Sequence, residues 1–313
     1  MLFYLDQQRS FSGKLNENYA RELMELHTLG VQAGYTQEDV TALANVLTGW
    51  TLSEEADLTA NRKDLVRIFR FEPKLNVGRE TRVFGLRLET AEEAERLDRI
   101  RQMLEMLALH PATAEHVCRK LAEHYVGAPA SAELVKDLSR VYLEQGGAMI
   151  PVLLALAEHP AFWASAESGR LASPFDFGVR LSRMLGNGRA PDLGGFLQRS
   201  GMGLFDRATP DGYPETCASW ADSNGVLQRW RWAGRLASIQ IPTDLLSRPV
   251  ETWSQEERQR SVDAAAMQIN GRLLRDRSNQ ALLTWLNGQQ GAPRDLAGPL
   301  GAMIIRLPET QMR

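Results

Sequence analysis

The chain has 313 residues, 43% of them hydrophobic and 24% charged, which is enough apolar material for one large core or two smaller ones. Its 36 basic and 39 acidic residues leave a net charge of −3, so no overall field favours nucleic acid or an anionic membrane. Two cysteines, Cys118 and Cys217, are too few and too far apart for a disulfide framework or a thiolate zinc site.

The first residues, MLFYLDQQRS, hold after Met1 an apolar run of four with no basic leader, so they do not read as a signal peptide. An apolar run at a free end reads instead as the inside of a longer fold, and self-association or dye binding is expected of it. Residues 16–30, NENYARELMELHTLG, follow as one helix. At 100° per residue Leu15, Tyr19, Leu23, Leu26 and Leu29 share one arc. Glu22 projects from inside that arc, Asn16 and His27 lie at its margin, and Arg21 points toward solvent. Burying a bare carboxylate is costly, so Glu22 is expected to be mostly buried and bonded to a basic or amide group of another helix. Arg119 is one such partner for Glu22 or Glu25. Asn18, Glu22 and Glu25 form an i, i+4, i+7 ridge that a hard cation could touch, but three oxygens fall short of the roughly six to eight that calcium takes. No metal site and no cofactor are expected.

Thr36 and Asp39 form a capping box ahead of the next helix, which leaves at Gly49. Residues 66–71 and 81–88 read as strands of one small β-hairpin, about 66–88, with Pro73, Asn76 and Gly78 in its loop. Helices are predicted over 90–109, 111–126, 131–145 and 148–159, the last apolar nearly all round and therefore central. His110-Pro111-Ala112 and His159-Pro160-Ala161 echo one another, and both histidines are expected to act on the dipole of the helix they close. Further helices fall at 173–186, 190–199, 223–238, 254–275 and 278–287, the 254–275 helix opened by a capping box from Ser254 to Glu257. In RWRWAGR (229–235) the wheel puts Trp230 on the core face and Trp232 among arginines. In TPDGYP, Asp211-Gly212 makes a turn and prolines flank Tyr213, as in a binding loop or a buried strut. No nucleophile elbow, P-loop, dinucleotide fingerprint or run of about 20 apolar residues occurs. The expected fold is all-α, a multi-helix array with that one hairpin, in a single helical domain over 1–313.

The segment LNENYARELMELHTLGVQAGYTQEDVTALANVLTGWT, with FRFEP, LALHPATAEHVCRKLAEHYV, ALAEHPAFW, SPFDFGVRLSRMLG and PDGYPET, resembles the bacterial family called domain of unknown function 1800 (DUF1800). The resemblance covers about 1–235, and the tail from about 240 to 313 is loosely matched. It implies a mostly helical protein with further helices upstream, possible export to the envelope, and work alongside an exported phosphatase/sulfatase-like partner. It implies no established activity. Where relatives carry a His-Asp pair between the two strands, this chain has Asn76 and Val77, and Asn76 cannot shuttle a proton at neutral pH.

Two functions are therefore carried forward. The first is a non-enzymatic interaction or assembly module. The second is a hydrolase whose site is built on Glu22, Glu25 and His27, with Arg21 or Tyr213 beside them. Asn16, Asn18, Asn76 and Asp211 are the candidate binding positions.

Overall fold

The computed structural model describes residues 1–56, 65–184, 192–209, 211–214, 216–236 and 241–312. Residues expected as one helical domain group into two compact units, Met1–Val126 with Ala130–Trp163, and Gly127–Pro129 with Ala164–Arg313.

The first unit contains α1 (Asn18–Glu22), a π-helical turn (Leu23–His27), α2 (Gln37–Val46), β1 (Trp50–Ala56) and β2 (Leu65–Phe71). It continues with β3 (Thr81–Val83), β4 (Leu86–Leu88), α3 (Arg96–Ala108), α4 (Pro111–Tyr125), α5 (Ala132–Glu144) and α6 (Met149–Glu158), and α7 (Pro160–Ser168) begins in it. The second unit holds α8 (Pro174–Met184), α9 (Leu193–Arg199), α10 (Ser223–Leu236), α11 (Gln255–Asn270), α12 (Asp276–Asn287), α13 (Pro293–Arg306) and α14 (Pro308–Gln311). The fold is mostly helical, as expected.

The strands pair differently from the expectation. β2 pairs antiparallel with β1, from Trp50 opposite Phe71 to Ala56 opposite Leu65, while β3 pairs with β4, Thr81 opposite Leu88. The segment after Gly49 is thus a strand, and it gives β2 a nearer partner than residues 81–88. Those residues close on themselves, because Phe84 and Gly85 both take positive φ (49° and 78°) in a tight two-residue turn of the type-I′ kind. The Phe84 amide donates to Asp39 Oδ1 at 2.6 Å. Asp39 therefore completes the predicted capping box on Thr36 and also holds the second hairpin. These amides, opposed by burial, leave the Asp39 carboxyl below its usual range.

Three helices depart from their expected roles. α6 is not central: Val152 and Leu156 enter a core with Leu134, Leu138 and Cys118, but Ile150, Leu153 and Leu154 are exposed. In α10 the buried face is Gly225, Arg229, Trp232 and Ala233, so Trp232 is inside and Trp230 outside. Arg229 accounts for the reversal, since an arginine fully buried in the middle of a face shifts the phase that a polarity wheel assigns to it. Trp232 stacks on Phe196 with centroids 4.5 Å apart and 12° between planes. α13, within the tail expected to be helical but not assigned its own bounds, carries Leu296, Leu300, Ile304 and Ile305 into the same core despite Pro299 within it.

The two His-Pro-Ala motifs cap the helix that follows each of them. His110 Nδ1 accepts from the Ala112 amide at 3.1 Å, and His159 Nδ1 accepts from Ala161 at 3.1 Å. That bond needs a lone pair, so these histidines act as acceptors at helix N-termini, not as cations at C-termini. His110→Ala and His159→Ala are each expected to lose about 1 kcal/mol in urea denaturation. Burial holds the His110 imidazole, like that of His116, below its ordinary range. A lowered folded pKa means the unfolded chain binds the proton first, so this stability is present above about pH 6.5 and is lost as the pH falls through the folded values. Melting midpoints should drop between about pH 7 and pH 5, and less so in His110→Ala.

Candidate functional site

The helix of residues 16–30 contains a feature that its sequence does not announce. α1 passes into five residues of π-helix, and its end is tied by Thr28 Oγ1 donating to the Leu23 carbonyl at 2.8 Å and the Gly30 amide donating to Met24 at 2.9 Å. Such a turn inserts a residue into the helical ladder, and these turns concentrate at functional sites. The buried seam is Ala20, Met24, Thr28 and Leu29, with Leu15, Tyr19 and Leu23 packed along its flank. The seam is therefore rotated from the predicted arc, and Glu22 is half-buried instead of sealed. Glu25 is also half-buried, and His27 is exposed. Glu22 and Glu25 both approach Tyr35, whose hydroxyl is pushed up first by burial and then by the Glu25 charge.

The neighbouring polar groups have structural work. Arg21 donates to Gln37 Oε1 at 2.7 Å and lies 3.6 Å from Glu17. Glu17 in turn accepts from Thr41 at 2.7 Å and from Gln37 at 2.6 Å, which holds its carboxyl below the usual range. This network ties α1 to α2. Asn16 Nδ2 donates to the Leu5 carbonyl at 3.0 Å, while its Oδ1 accepts from the Asn18 amide. Asn18 itself is exposed. Arg119 pairs with Glu115, one turn away on α4. Among the described residues no group of three or more His, Cys, Asp or Glu is placed to hold a metal ion.

Beside the π-turn lies an open groove of about 640 Å³ between residues 29–33 and the first turns of α4. Its floor is His116, whose Nε2 lies 3.2 Å from the Leu26 carbonyl. A carbonyl only accepts, so this contact places the proton on Nε2 and leaves Nδ1 as a lone pair beneath Gly30. Gly30 has φ of +81°, and a Cβ there would come within 2.6 Å of His116 Nδ1. Burial, opposed by the bond to the Leu26 carbonyl and reinforced by Lys120, Arg119 and His27, pushes the imidazole below its ordinary range. His27 and His116 thus share one neighbourhood, which the sequence reading missed. The groove wall supplies a paired carboxylate, Glu115, and no serine or cysteine nucleophile. Cys118, one turn below, is fully buried and pushed up to about 11, which leaves it an inert thiol.

Asn76 is also buried, and it is a clamp. Its Nδ2 donates to the Val46 carbonyl at 2.8 Å and to the Thr48 carbonyl at 2.7 Å, and its main-chain carbonyl accepts from Arg96. The adjacent Val77 amide donates to Thr48 Oγ1 at 2.9 Å. The place of the expected His-Asp pair is therefore filled by groups that lock the β2–β3 segment onto the end of α2. Asp211 and Tyr213 belong to the second unit. Arg207 reaches Asp211 at 2.8 Å, and Tyr213 donates its hydroxyl to the Gly203 carbonyl at 2.8 Å. Both act as struts of residues 203–214, of which Pro210 lies outside the described residues.

The surface offers a second kind of site. On α6, Ile150 is 74% exposed and Leu154 58%, with Met149 and Leu153 beside them. Trp163 is 66% exposed, and its indole N–H is satisfied by the Ala157 carbonyl at 2.9 Å. What Trp163 presents is therefore an apolar ring face anchored at the far end of α6. Soluble chains rarely leave large apolar side chains grouped in this way unless something covers them. Among the described residues no helix is long and apolar enough to cross a membrane.

No curated protein and no solved structure matched the chain. A family model described as a protein of unknown function (DUF1800) matches residues 1–312, taking in the tail that had looked only loosely related. With the match spanning essentially every residue, the chain belongs to the DUF1800 family.

Proposed function

We propose that this chain is a non-enzymatic interaction and assembly module whose working surface is the apolar face of α6 with Trp163. The envelope and an exported phosphatase/sulfatase-like partner, suggested by the family resemblance, are part of the same proposal. The observation that carries it is the row of exposed apolar residues on α6, Ile150 and Leu154 among them, with exposed Trp163 bonded to the Ala157 carbonyl near the end of that helix. Binding hot spots are built from such aromatic and aliphatic anchors. The polar residues of α1 and of the segment leading into it support the reading by contrast, because Arg21, Asn16 and Glu17 are engaged in holding the fold.

The hydrolase alternative rests on Glu22, Glu25 and His27. It needs a nucleophile, a base and an orienting group within hydrogen-bond reach of one another. Phosphatase, esterase and glycosidase assays on purified protein test it, with and without zinc, manganese, magnesium and calcium. No turnover is expected. Turnover abolished by His27→Ala or Glu25→Gln would replace the module reading with an enzyme.

A further inference from the structure

Resting on the assembly reading, we infer that the occupant of the α6 face is a second copy of this chain, docked helix against helix in antiparallel, two-fold fashion. Three features of α6 point to it.

The first is area. Met149, Ile150, Leu153, Leu154 and Trp163 together expose on the order of 500 Å² of apolar surface, so a symmetric pair buries on the order of 1000 Å², about the threshold for an interface that persists in solution.

The second is charge. No charged residue occurs from Gly146 to Ala157, so two copies of this face meet without like-charge repulsion. A bilayer-surface helix would instead carry lysine or arginine along its polar side.

The third is the arrangement of the ends. Ile150, Leu154 and Glu158 fall on one line at i, i+4 and i+8, and Glu158 is exposed. A carboxylate at the C-terminus of its own helix opposes the helix dipole. The N-terminus of α6 has Ala148 as its cap residue and no side-chain cap. Antiparallel pairing corrects both defects, because each Glu158 then faces the uncapped N-terminus of the other copy. It also brings Ile150 opposite Glu158 and sets Leu154 on the two-fold axis opposite its own symmetry mate.

The test is sedimentation of the full chain over a concentration series. A reversible monomer–dimer equilibrium starting from the 35.0 kDa monomer is expected. Ile150→Glu, which sets a carboxylate against Glu158 of the other copy, and Trp163→Ala should each raise the dissociation constant at least tenfold. Glu158→Lys should also weaken the dimer, yet leave the melting midpoint of dilute monomer unchanged or higher, since a cation suits the end of its own helix. In a Cys217→Ser background, Leu154→Cys should cross-link to itself under mild oxidation, whereas Glu133→Cys should not. Monomer at every concentration, or a dimer indifferent to Ile150→Glu, overturns the inference. If the chain stays monomeric while Ile150→Glu abolishes binding of a different protein, the second copy is refuted and the module reading survives. If the α6 variants change neither self-association nor any other association, both readings fail together.

Discussion

Asn76→Asp is expected to destabilise the first unit by at least about 3 kcal/mol, because it sets a carboxylate against the two carbonyls that the amide now binds. Asn76 is 4% exposed, and its Nδ2 serves Val46 and Thr48 at 2.8 and 2.7 Å. Aspartate loses both donors and adds a buried charge facing oxygen. Its pKa in the folded state must rise, so part of the loss should be recovered on acidification, when the protonated acid can donate one bond. Urea midpoints at neutral and acidic pH, compared with wild type, measure both effects. A variant as stable as wild type at neutral pH would mean that the position is not a clamp. Gly49 explains why the region tolerates little: a Cβ there would lie 2.7 Å from the Glu72 carbonyl oxygen, at a φ of +82°.

The second large effect is expected at Arg229. This arginine is fully buried, its guanidinium lies 5.0 Å from the Phe177 ring centroid, and Nη2 donates to the Ala172 carbonyl at 2.6 Å. Burial, with Arg180 nearby, lowers it to about 10, so it remains a cation at neutral pH. Arg229→Ala removes these contacts, opens a cavity and leaves the Ala172 carbonyl without this donor. The cost is expected to be about 3–5 kcal/mol. Arg229→Lys should recover little, since an ammonium lacks the planar fork and stacks less well on the ring. A buried cation is costly to desolvate, so Arg229→Met is the discriminating variant. Clear destabilisation of Arg229→Met in a urea titration fits a structural arginine, whereas a neutral or stabilised variant contradicts it.

What the sequence disclosed and what it hid follow a physical pattern. Local signals were legible: both capping boxes, from Thr36 to Asp39 and from Ser254 to Glu257, form as read, because they depend on residues three apart. The mostly helical fold was legible for the same reason. Phase errors arose wherever a long-range bond overrode polarity. Arg229 is buried by the Ala172 carbonyl, 57 positions away, and it turned the α10 wheel so that Trp232 took the core. The π-turn did the same to α1, moving the seam to Ala20 and Met24 and leaving Glu22 half-buried. Strand pairing was misread because the Trp50–Ala56 strand carries a polar SEEA end, which hid β2's true partner. The His-Pro-Ala motifs were noticed, but the direction of the bond could not be read. The rotamer decides it, turning Nδ1 toward the amide two residues on. The α6 surface was hidden for the opposite reason: a helix apolar on every side reads as buried, and nothing local marks the face that stays open.

The most direct test of the central claim is site-specific photocross-linking in producing cells, with a photoreactive residue at Leu154 and, as a control, at exposed Glu133 on α5. The interaction-module account expects a discrete adduct from position 154, lost when Ile150→Glu is added, and none from position 133. An adduct of twice the 35.0 kDa chain mass would identify a second copy, and any other discrete mass a different protein. No adduct at 154, or equal labelling at both positions, would contradict the account and return attention to the groove at His116.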